Sequence, residues 1–318
     1  MDAEAATMRA LRLPAFGSWR DLRLDSVPIP EPDAERCLLV RVRAAAVNPV
    51  DLKTCAGRPP DPGLAERLPL TPGYDLAGEV VGDLGDRPWA VGTRVCGMVG
   101  FPQAPGAFAG YALARPDEVV ATPADVSDAQ AAALPLVGLT AWQALFEHGG
   151  LTAGETVLVT GGAGGVGQQL IQLAHTAGAR VVTTASARNR AHCRALGADR
   201  VVDYAGEGLA SVDERIDLVV NTVTSAHEVP ALPGVGAQTR RLTLVSLPSD
   251  APDLRAFFGA RPLVYADAVV LARLLERVAR GTLRSRVVVE APLEEAERAL
   301  APVDAGHAGG KALLRPAE

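Results

Sequence analysis

The sequence is poor in aromatic residues and has no long apolar run. Aromatic residues make up only 4% of the 318 residues, whereas 48% of the chain is apolar. The cores must therefore be built from Ala, Val and Leu, which suits parallel strands covered by helices. A chain of this length can form two domains, each with a core of its own.

The sequence also lacks signals for a membrane or for nucleic acid. Its start, MDAEAATMRA, carries acidic residues where a signal peptide has a basic region and an apolar core. The longest nearly apolar run, Ala131 to Trp142, contains Pro135 and is well short of the roughly 18 residues of a spanning helix. Because the net charge is -6 and no basic stripe is present, we expect a cytoplasmic protein that binds neither membrane nor nucleic acid.

Cysteine and histidine are too scattered to indicate a disulfide framework or a metal site. The four cysteines form no C-x-x-C motif, and the five histidines show no metal-binding spacing such as H-E-x-x-H. We interpret the cysteines as small apolar residues. The cysteines are Cys37, Cys55, Cys96 and Cys193, and the histidines are His148, His175, His192, His227 and His307.

The apolar pattern changes along the chain. From Leu22 to about Tyr111, short apolar alternations between Gly and Pro clusters predict an antiparallel, barrel-like region. From about Asp128, beginning with a helix over Ala129–Glu147, helices alternate with strands and predict a parallel sheet. The strands predicted are Cys37–Val42, Gly78–Val81 and Thr93–Cys96 in the first region, and Thr156–Thr160, Arg180–Thr184, Arg200–Val202, Ile216–Asn221 and Arg241–Leu247 in the second.

The C-terminal segment predicts a return to the first domain. Ala266–Arg280 has the periodicity of an amphipathic helix, and Arg286–Glu290 and Lys311–Leu314 have the pattern of strands. We therefore expect a discontinuous domain, residues 1–128 and 267–318, interrupted by an α/β domain, residues 129–266.

A glycine-rich segment lies between a predicted strand and a predicted helix. Residues 155–179 read ETVLVTGGAGGVGQQLIQLAHTAGA, which contains the pattern G-x-G-x-x-G. Small residues let a pyrophosphate approach the backbone N–H groups at a helix start, and the last glycine lets the helix press against the strand. We expect a dinucleotide site here, with a merely tight turn as the alternative. The binding residues would be Gly162, Ala163, Gly164, Gly165, Val166 and Gly167.

The end of the next strand indicates which dinucleotide binds. NAD sites usually place an acidic residue there to hold the ribose hydroxyls, but Val182–Arg190 reads VTTASARNR and has none. Ser186 and Arg188 offer a hydroxyl and a guanidinium that suit a 2′-phosphate. We therefore expect NADPH; the alternative is that Arg188 and Arg190 are solvated residues that open the next helix.

Further motifs extend over most of the chain. They are VNPVDLK (47–53), PGYDLAGEVV (72–81), VGTRV (91–95), GAFAGY (106–111), LPLVGLTAW (134–142), VTGGAGGVG (159–167), LGAD (196–199) and GGKALL (309–314). On these residues the chain resembles the medium-chain dehydrogenase/reductase superfamily, and within it the zinc-independent, quinone oxidoreductase-like (zeta-crystallin-like) branch. The resemblance implies an α/β protein with a GroES-like, β-barrel-type catalytic domain and a Rossmann domain with a doubly wound parallel sheet.

The resemblance also implies a function. We expect an NADPH-dependent reductase that transfers hydride to a quinone or an α,β-unsaturated carbonyl compound, in a tailoring step of natural-product biosynthesis. We expect a homodimer from the habit of the superfamily and from the apolar stretch Leu263–Tyr265. Two alternatives stay open: a nucleotide-binding enzyme of non-redox isomerisation or cyclisation, and a non-enzymatic nucleotide-binding protein.

Zinc-dependent relatives hold their metal with a Cys, a His and a second Cys. The corresponding positions here resemble Asn48, Tyr74 and Leu136, and neither Asn nor Leu is a usual zinc ligand. We therefore expect no catalytic zinc. Without a metal to polarise a carbonyl, substrates that are already electrophilic by conjugation are favoured.

The resemblance places the segment from Asn48 to Lys53 on the wall of the substrate cleft. Asn48 could orient substrate or nicotinamide, and Asp51 could fix Lys53, whose ammonium could stabilise an oxyanion or donate a proton. The chain has 29 Arg but only 2 Lys, which favours a function for Lys53. The alternatives are a turn-forming Asp51 and a solvated Lys53. Tyr74 could offer a phenol to the cleft or simply pack in the interior.

Other residues are expected to contact the cofactor. Thr140 resembles a family threonine that does so, with a helix cap as the alternative, and Tyr204 could lie near the adenosine phosphate or pack at an edge. We also include Val223, Leu247 and Lys311. The family pattern fails after the fourth and fifth strands, where Asp-x-Val-Gly-Gly and Pro-Gly-Gly are replaced by NTVTSAH (221–227) and GAQTRR (236–241).

Overall fold

The structure, a computed structural model, describes residues 6–34, 36, 38–83, 89–206, 208–224, 227–247, 252–258, 261–306 and 308–316. Cys37 and His307, which carried interpretations above, lie outside these ranges, as do residues 225–226 of the altered loop. The chain divides into two compact units. Unit 1 comprises residues 1–136 and 265–318, and unit 2 comprises residues 137–264.

Strands and helices are numbered in chain order. The strands are β1 (Thr7–Arg12), β2 (Arg23–Pro28), β3 (Leu38–Val47), β4 (Asp75–Asp83), β5 (Arg94–Met98), β6 (Tyr111–Ala114), β7 (Val119–Ala121), β8 (Thr156–Val159), β9 (Arg180–Ala185), β10 (Arg200–Asp203), β11 (Leu218–Asn221), β12 (Arg240–Thr243), β13 (Val287–Pro292) and β14 (Lys311–Arg315). The helices are α1 (Pro49–Cys55), α2 (Asp128–Ala132), α3 (Pro135–Trp142), α4 (Gly165–Thr176), α5 (Arg190–Ala195), α6 (Pro252–Phe258), α7 (Ala268–Ala279) and α8 (Glu297–Asp304).

Unit 1 is built on a mixed, mainly antiparallel sheet. Within the described residues this sheet has seven strands in the order β13-β14-β3-β4-β5-β7, with β6 paired to β3, and β1 and β2 form a separate antiparallel pair. Among the strand pairs that the structure describes in this sheet, only β13 and β14 run parallel. Along the first half of β3, Leu38, Val40 and Val42 are buried while the residues between them are half-buried, the alternation of a sheet with one face on the core.

Unit 2 is built on a parallel sheet. In the part of the chain described, its strands follow the order β10-β9-β8-β11-β12, and every pair in it is parallel. All five strands predicted for this region are present, with bounds shifted by up to four residues. The predicted fold class, a GroES-like domain combined with a Rossmann parallel-sheet domain, is confirmed.

Two predicted elements have different bounds for clear physical reasons. The helix expected over Ala129–Glu147 is interrupted, because Pro135 lacks an N–H and starts α3 instead of continuing α2. After α3 the chain forms a π-helical segment, Gln143–His148. The strand expected to reach Leu247 ends at Thr243, which pairs with the last residue of β11 and leaves no neighbour for a longer ladder.

The amphipathic helix predicted near the C-terminus is present as α7. Its N-cap, Asp267, accepts a hydrogen bond from the N–H of Val270 at 2.9 Å, which satisfies one of the unpaired donors of the first turn. Val270, Leu271, Leu274 and Leu275 form its buried face. The cap explains why the helix starts at Ala268, and the spacing of the apolar residues explains which of its faces is buried.

We predict that Leu158→Ala lowers the free energy of unfolding by about 2 to 5 kcal/mol. Leu158 lies on β8 with no exposed surface and belongs to the apolar core of unit 2, so its removal leaves a cavity. Urea-induced unfolding followed by circular dichroism measures the change. Val91→Ala, at a residue that is 71% exposed, should change it by about 0.5 kcal/mol or less; equal effects of the two variants would contradict the prediction.

Candidate functional site

The predicted phosphate-binding residues 162–167 form the turn between β8 and α4 and the first turn of that helix. The preceding residue, Gly161, has a φ of +72°, a left-handed conformation that glycine adopts readily. Its N–H donates to Thr184 Oγ1 at 2.9 Å, and the N–H of Gly162 donates to the Thr184 carbonyl at 2.9 Å. These two bonds fix the path of the chain between sheet and helix.

Two glycines of this turn make contacts that leave no room for a side chain. A Cβ on Gly162 would lie 2.1 Å from Thr183 Oγ1, and a Cβ on Gly167 would lie 2.2 Å from the carbonyl oxygen of Gly161. The helix α4 is 12 residues long and starts at Gly165. Since the first N–H groups of a helix have no partner within it, they can donate to a phosphate. The turn therefore fits the pyrophosphate of a dinucleotide.

The structure places Ser186 and Arg188 together just after β9. Arg188 is exposed, and among the described residues its guanidinium makes no hydrogen bond or ion pair. Ser186 is half-buried and its hydroxyl accepts a hydrogen bond from Asn189 Nδ2 at 3.2 Å. Arg190 differs from Arg188 because its side chain is half-buried and already has an interaction. A hydroxyl and an available guanidinium at this strand end fit a phosphate group.

The other residues predicted to contact the cofactor differ in their exposure and in what they pack against. Tyr204 follows β10 and is 53% exposed, whereas Val223 and Leu247 are half-buried and pack against the apolar core of unit 2. From its place after Gly138, Thr140 was considered as a residue that caps a helix. It lies inside α3 instead, because this helix already starts at Pro135. Nucleotide contacts by these residues stay predictions.

Lys311, for which a cofactor contact stays a prediction, lies in a buried polar cluster of unit 1. Its ammonium donates to Asn48 Oδ1 and to the Val47 carbonyl at 3.4 Å, and it lies 3.5 Å from Asp75 Oδ2. Asn48 Nδ2 in turn donates to Asp75 Oδ2 at 2.8 Å and to the Ala46 carbonyl at 3.3 Å. Both hydrogens of the Asn48 amide are thus bonded within the unit.

Sequence reasoning missed Asp75, which has no exposed surface and anchors this cluster. Its Oδ1 accepts the backbone N–H of Leu136 at 2.9 Å. Burial raises the pKa of Asp75 and lowers that of Lys311, while each partner's charge opposes the shift of the other. An acidic residue inside the apolar strand pattern PGYDLAGEVV was the available signal, because a buried acid needs a partner.

Asp51 is the second acid of the cluster. Its Oδ2 accepts the N–H of Asn48 at 2.7 Å, and its buried Oδ1 has no hydrogen-bond partner in the described structure. Burial raises the pKa of Asp51 to about 7, assisted by the charge of Asp75 and opposed by the Asn48 hydrogen bond and by Lys311. When Asp51 is protonated, the net charge of the cluster is close to zero, because the other acid, Asp75, is balanced by the Lys311 ammonium.

The remaining predicted catalytic residues differ in exposure. Lys53 is half-buried on α1 and has an interaction of its own. Tyr74 has no exposed surface, its hydroxyl donates to the Pro102 carbonyl at 3.1 Å, and its ring meets Phe101 edge-on at 4.9 Å. Burial is the main cause that raises the pKa of Tyr74. The structure thus places Tyr74 in the interior, which was the alternative considered for it.

The described ranges give no sign of a metal site or of a membrane span. Within them, no three His, Cys, Asp or Glu side chains are grouped so that they could hold a metal ion. Also within them, no helix combines the length and the apolar character needed to cross a membrane.

Comparison with known proteins gives consistent results. Residues 34–124 match the family model described as alcohol dehydrogenase GroES-like domain, and residues 196–314 match the model described as zinc-binding dehydrogenase. The chain is 31% identical to the chloroplastic quinone-oxidoreductase homolog of Spinacia oleracea, over 98% of this chain and 99% of that protein. It is also 31% identical to the chloroplastic NADPH-dependent alkenal/one oxidoreductase of Arabidopsis thaliana, over 97% and 80% of the two chains.

A solved structure supports the same grouping. The quinone oxidoreductase from Coxiella burnetii superposes with a TM-score of 0.88 at 32% identity, covering 98% of this chain and 100% of that one. The similarity therefore extends over both units and is not confined to the glycine-rich turn.

We predict that Asp51→Asn removes a loss of stability that the wild type shows as the pH rises from acidic to neutral. Because the pKa of Asp51 is raised from 3.8 to about 7 on folding, the native state holds a proton that the unfolded state has lost, so stability falls as pH rises from about 4 to about 7. Each tenfold change in the proton affinity of the carboxyl is worth about 1.4 kcal/mol. Unfolding measured from pH 5 to 8.5 should show the variant gaining stability relative to the wild type.

Asp21→Asn is the matched control for this prediction. Asp21 Oδ2 accepts the N–H of Ser18 at 2.8 Å, the same capping contact as in Asp51, but at an exposed helix start. This substitution should leave the slope of stability against pH unchanged. A wild-type slope equal to that of Asp51→Asn would show that Asp51 is ionised throughout this range.

Proposed function

This chain belongs to the quinone oxidoreductase group of the medium-chain dehydrogenase/reductase superfamily, and we propose that it is an NADPH-dependent reductase that transfers hydride to a quinone or an α,β-unsaturated carbonyl compound without a catalytic zinc. The names of the relatives support this substrate class, since they include a quinone oxidoreductase and an alkenal/one oxidoreductase. We further propose a cytoplasmic homodimer that tailors natural products. The exposure of the apolar Leu263 and Tyr265, 45% and 48%, supports self-association.

The proposal is carried by one observation, the glycine turn of unit 2. Gly162 and Gly167 make contacts that exclude a side chain, and the start of α4 can donate to a pyrophosphate. The end of β9 has no acidic residue but presents Arg188, whose guanidinium is available within the described structure. This combination favours a nucleotide with a 2′-phosphate over NADH.

The zinc-free mechanism is supported by the donor chemistry at the three expected metal positions. The Asn48 amide is bonded to Lys311 and Asp75, the hydroxyl of Tyr74 donates to a carbonyl, and the side chain of Leu136 has no ligand atom. This set does not fit a tetrahedral zinc site. A conjugated acceptor needs no Lewis acid to be electrophilic, so the missing ligands and the proposed substrate class agree.

The side chains of unit 1 are proposed to shape the reaction in two ways. When bound, reduced nicotinamide supplies the hydride. Lys53, on α1, is the candidate to stabilise negative charge on the acceptor oxygen because its side chain is half-buried rather than enclosed. Asn48, Asp51 and Tyr74 are buried and act as positioning residues that hold the start of α1 and the segment beside it.

Nucleotide oxidation tests the function directly. Purified protein mixed with NADPH and a panel of quinones, enones and enoyl thioesters should lose absorbance at the nicotinamide band with at least one acceptor. Gly167→Ala should abolish this because its Cβ would meet the Gly161 carbonyl, whereas Gly236→Ala, with open space around it, should not. Substrate conversion without oxidation would indicate isomerisation, and binding without turnover would indicate a non-enzymatic protein.

Arg188→Ala tests the choice of nucleotide. Loss of a hydrogen bond to a charged group costs about 1.5 to 3 kcal/mol, so the Kd for NADPH should rise by about ten- to hundred-fold. The Kd for NADH should change by less than about two-fold because it lacks the 2′-phosphate. Calorimetry gives both values, and Arg215→Ala, at an arginine whose side chain is 84% exposed, is the control. Parallel changes for both nucleotides would refute a 2′-phosphate contact.

A further inference from the structure

The strand order of unit 2 defines where a bound nucleotide crosses the sheet. Because β8 has β9 on one side and β11 on the other, the direction of winding reverses between β8 and β11. In open parallel sheets, ligands bind outside the carboxyl ends of the strands at such a reversal. The crevice is therefore flanked by the glycine turn after β8 and by the loop after β11, residues 222–224 in the described structure.

A fully bonded amide lies beneath this crevice. Asn221, the last residue of β11, has no exposed surface. Its Oδ1 accepts from Thr160 Oγ1 at 2.6 Å and from the N–H of Val223 at 3.3 Å. Its Nδ2 donates to the Val223 carbonyl at 2.9 Å and to Thr243 Oγ1 at 3.1 Å. One side chain thus joins the carboxyl ends of β8, β11 and β12.

The same network presses the loop after β11 against the glycine turn. The N–H of Thr222 donates to Thr160 Oγ1 at 3.0 Å, and Thr222 Oγ1 donates to the Thr160 carbonyl at 2.6 Å. The position that a Cβ on Gly161 would take lies 2.7 Å from Thr222 Oγ1 and 2.8 Å from Val223 Cγ1. The glycine turn after β8 and the loop after β11 are therefore held in contact at their bases.

Each hydrogen bond in the network has a defined direction. Thr243 Oγ1 accepts from Asn221 and donates to the Val245 carbonyl at 3.2 Å, so it has no second hydrogen to give. A carboxylate at position 221 could accept from Thr160 and Val223 but could donate to neither Thr243 nor the Val223 carbonyl. The asparagine is required by this pattern, whereas the family pattern given above has an aspartate at the corresponding position.

We propose that Asn221 and Thr243 are positioning residues for the nicotinamide half of the nucleotide, because they hold the loop at 222–223 in register with the glycine turn. The inference rests on the proposed binding of NADPH. The adenosine half is assigned to the other side of the reversal, where Ser186 and Arg188 follow β9, so disturbing the Asn221 network should affect the two halves of the nucleotide unequally.

The test compares affinities for NADPH and for 2′,5′-ADP, which carries the 2′-phosphate but no nicotinamide. Asn221→Asp removes two donors, Thr243→Val removes the hydroxyl, and Thr243→Ser keeps it. Thr239→Val is the matched control: Thr239 precedes the amino end of β12, donates to the Ile216 carbonyl at 2.7 Å and accepts the N–H of Gly236 at 3.0 Å. Calorimetry gives the Kd values, and thermal unfolding reports stability for every variant.

Asn221→Asp and Thr243→Val should raise the Kd for NADPH by about ten-fold or more, since a hydrogen bond and the packing it maintains contribute about that much to binding. The Kd for 2′,5′-ADP should rise by less than about three-fold. Thr243→Ser should bind both ligands like the wild type. Thr239→Val should lower the Tm without changing the ratio of the two Kd values.

Two results overturn the inference while leaving the proposed function intact. One is a wild type that binds NADPH together with variants that bind it equally well. The other is equal weakening of NADPH and 2′,5′-ADP in Thr243→Val, because a purely structural defect would not distinguish the two ligands. A wild type that binds neither ligand would instead refute the proposed function itself.

Discussion

One close contact, between α4 and the turn that precedes it, positions the glycine-rich segment of unit 2. Gly167 approaches the carbonyl oxygen of Gly161 so closely that any side chain would separate helix from sheet. The contact sets where the helix starts, and the helix start determines where its unpaired N–H groups point. The glycine turn, the loop after β11 and the end of β9 are arranged around it, so the proposed nucleotide site depends on the absence of one Cβ.

Unit 1 depends on a different interaction, the burial of charge. The Lys311 ammonium donates to Asn48 and to the Val47 carbonyl and forms an ion pair with Asp75, a convergent set of acceptors that suits a compact ammonium better than a planar guanidinium. This gives a physical reason for a lysine at this position in a chain that has 29 Arg and only 2 Lys. It also explains the Asn48 orientation, because Lys311 fixes the oxygen and Asp75 fixes the nitrogen.

In both units, polar side chains join the ends of neighbouring strands, but the chemical groups differ. In unit 1 the ends of β3, β4 and β14 are joined by charged groups, whose pKa values are shifted by burial. In unit 2 the ends of β8, β11 and β12 are joined by hydroxyls and an amide, which do not titrate near neutral pH. The hydrogen-bond network of Asn221, Thr160 and Thr243 therefore contains no side chain that gains or loses a proton in the range where Asp51 changes its protonation.

Sequence by itself determined the parallel sheet, the glycine turn and the lack of an acid after β9, because these follow from the period of apolar residues and from local spacing. Tertiary structure decided which polar side chains meet. Lys311 lies 263 positions from Asn48 in the chain yet bonds to it, and Thr160 meets Asn221 across 61 positions. Such contacts depend on strand order and register, which no local pattern encodes. For the same reason the sequence left open whether Tyr74 lines a cleft or packs in the interior, and it did not indicate that the Asn48 amide makes its hydrogen bonds inside the unit.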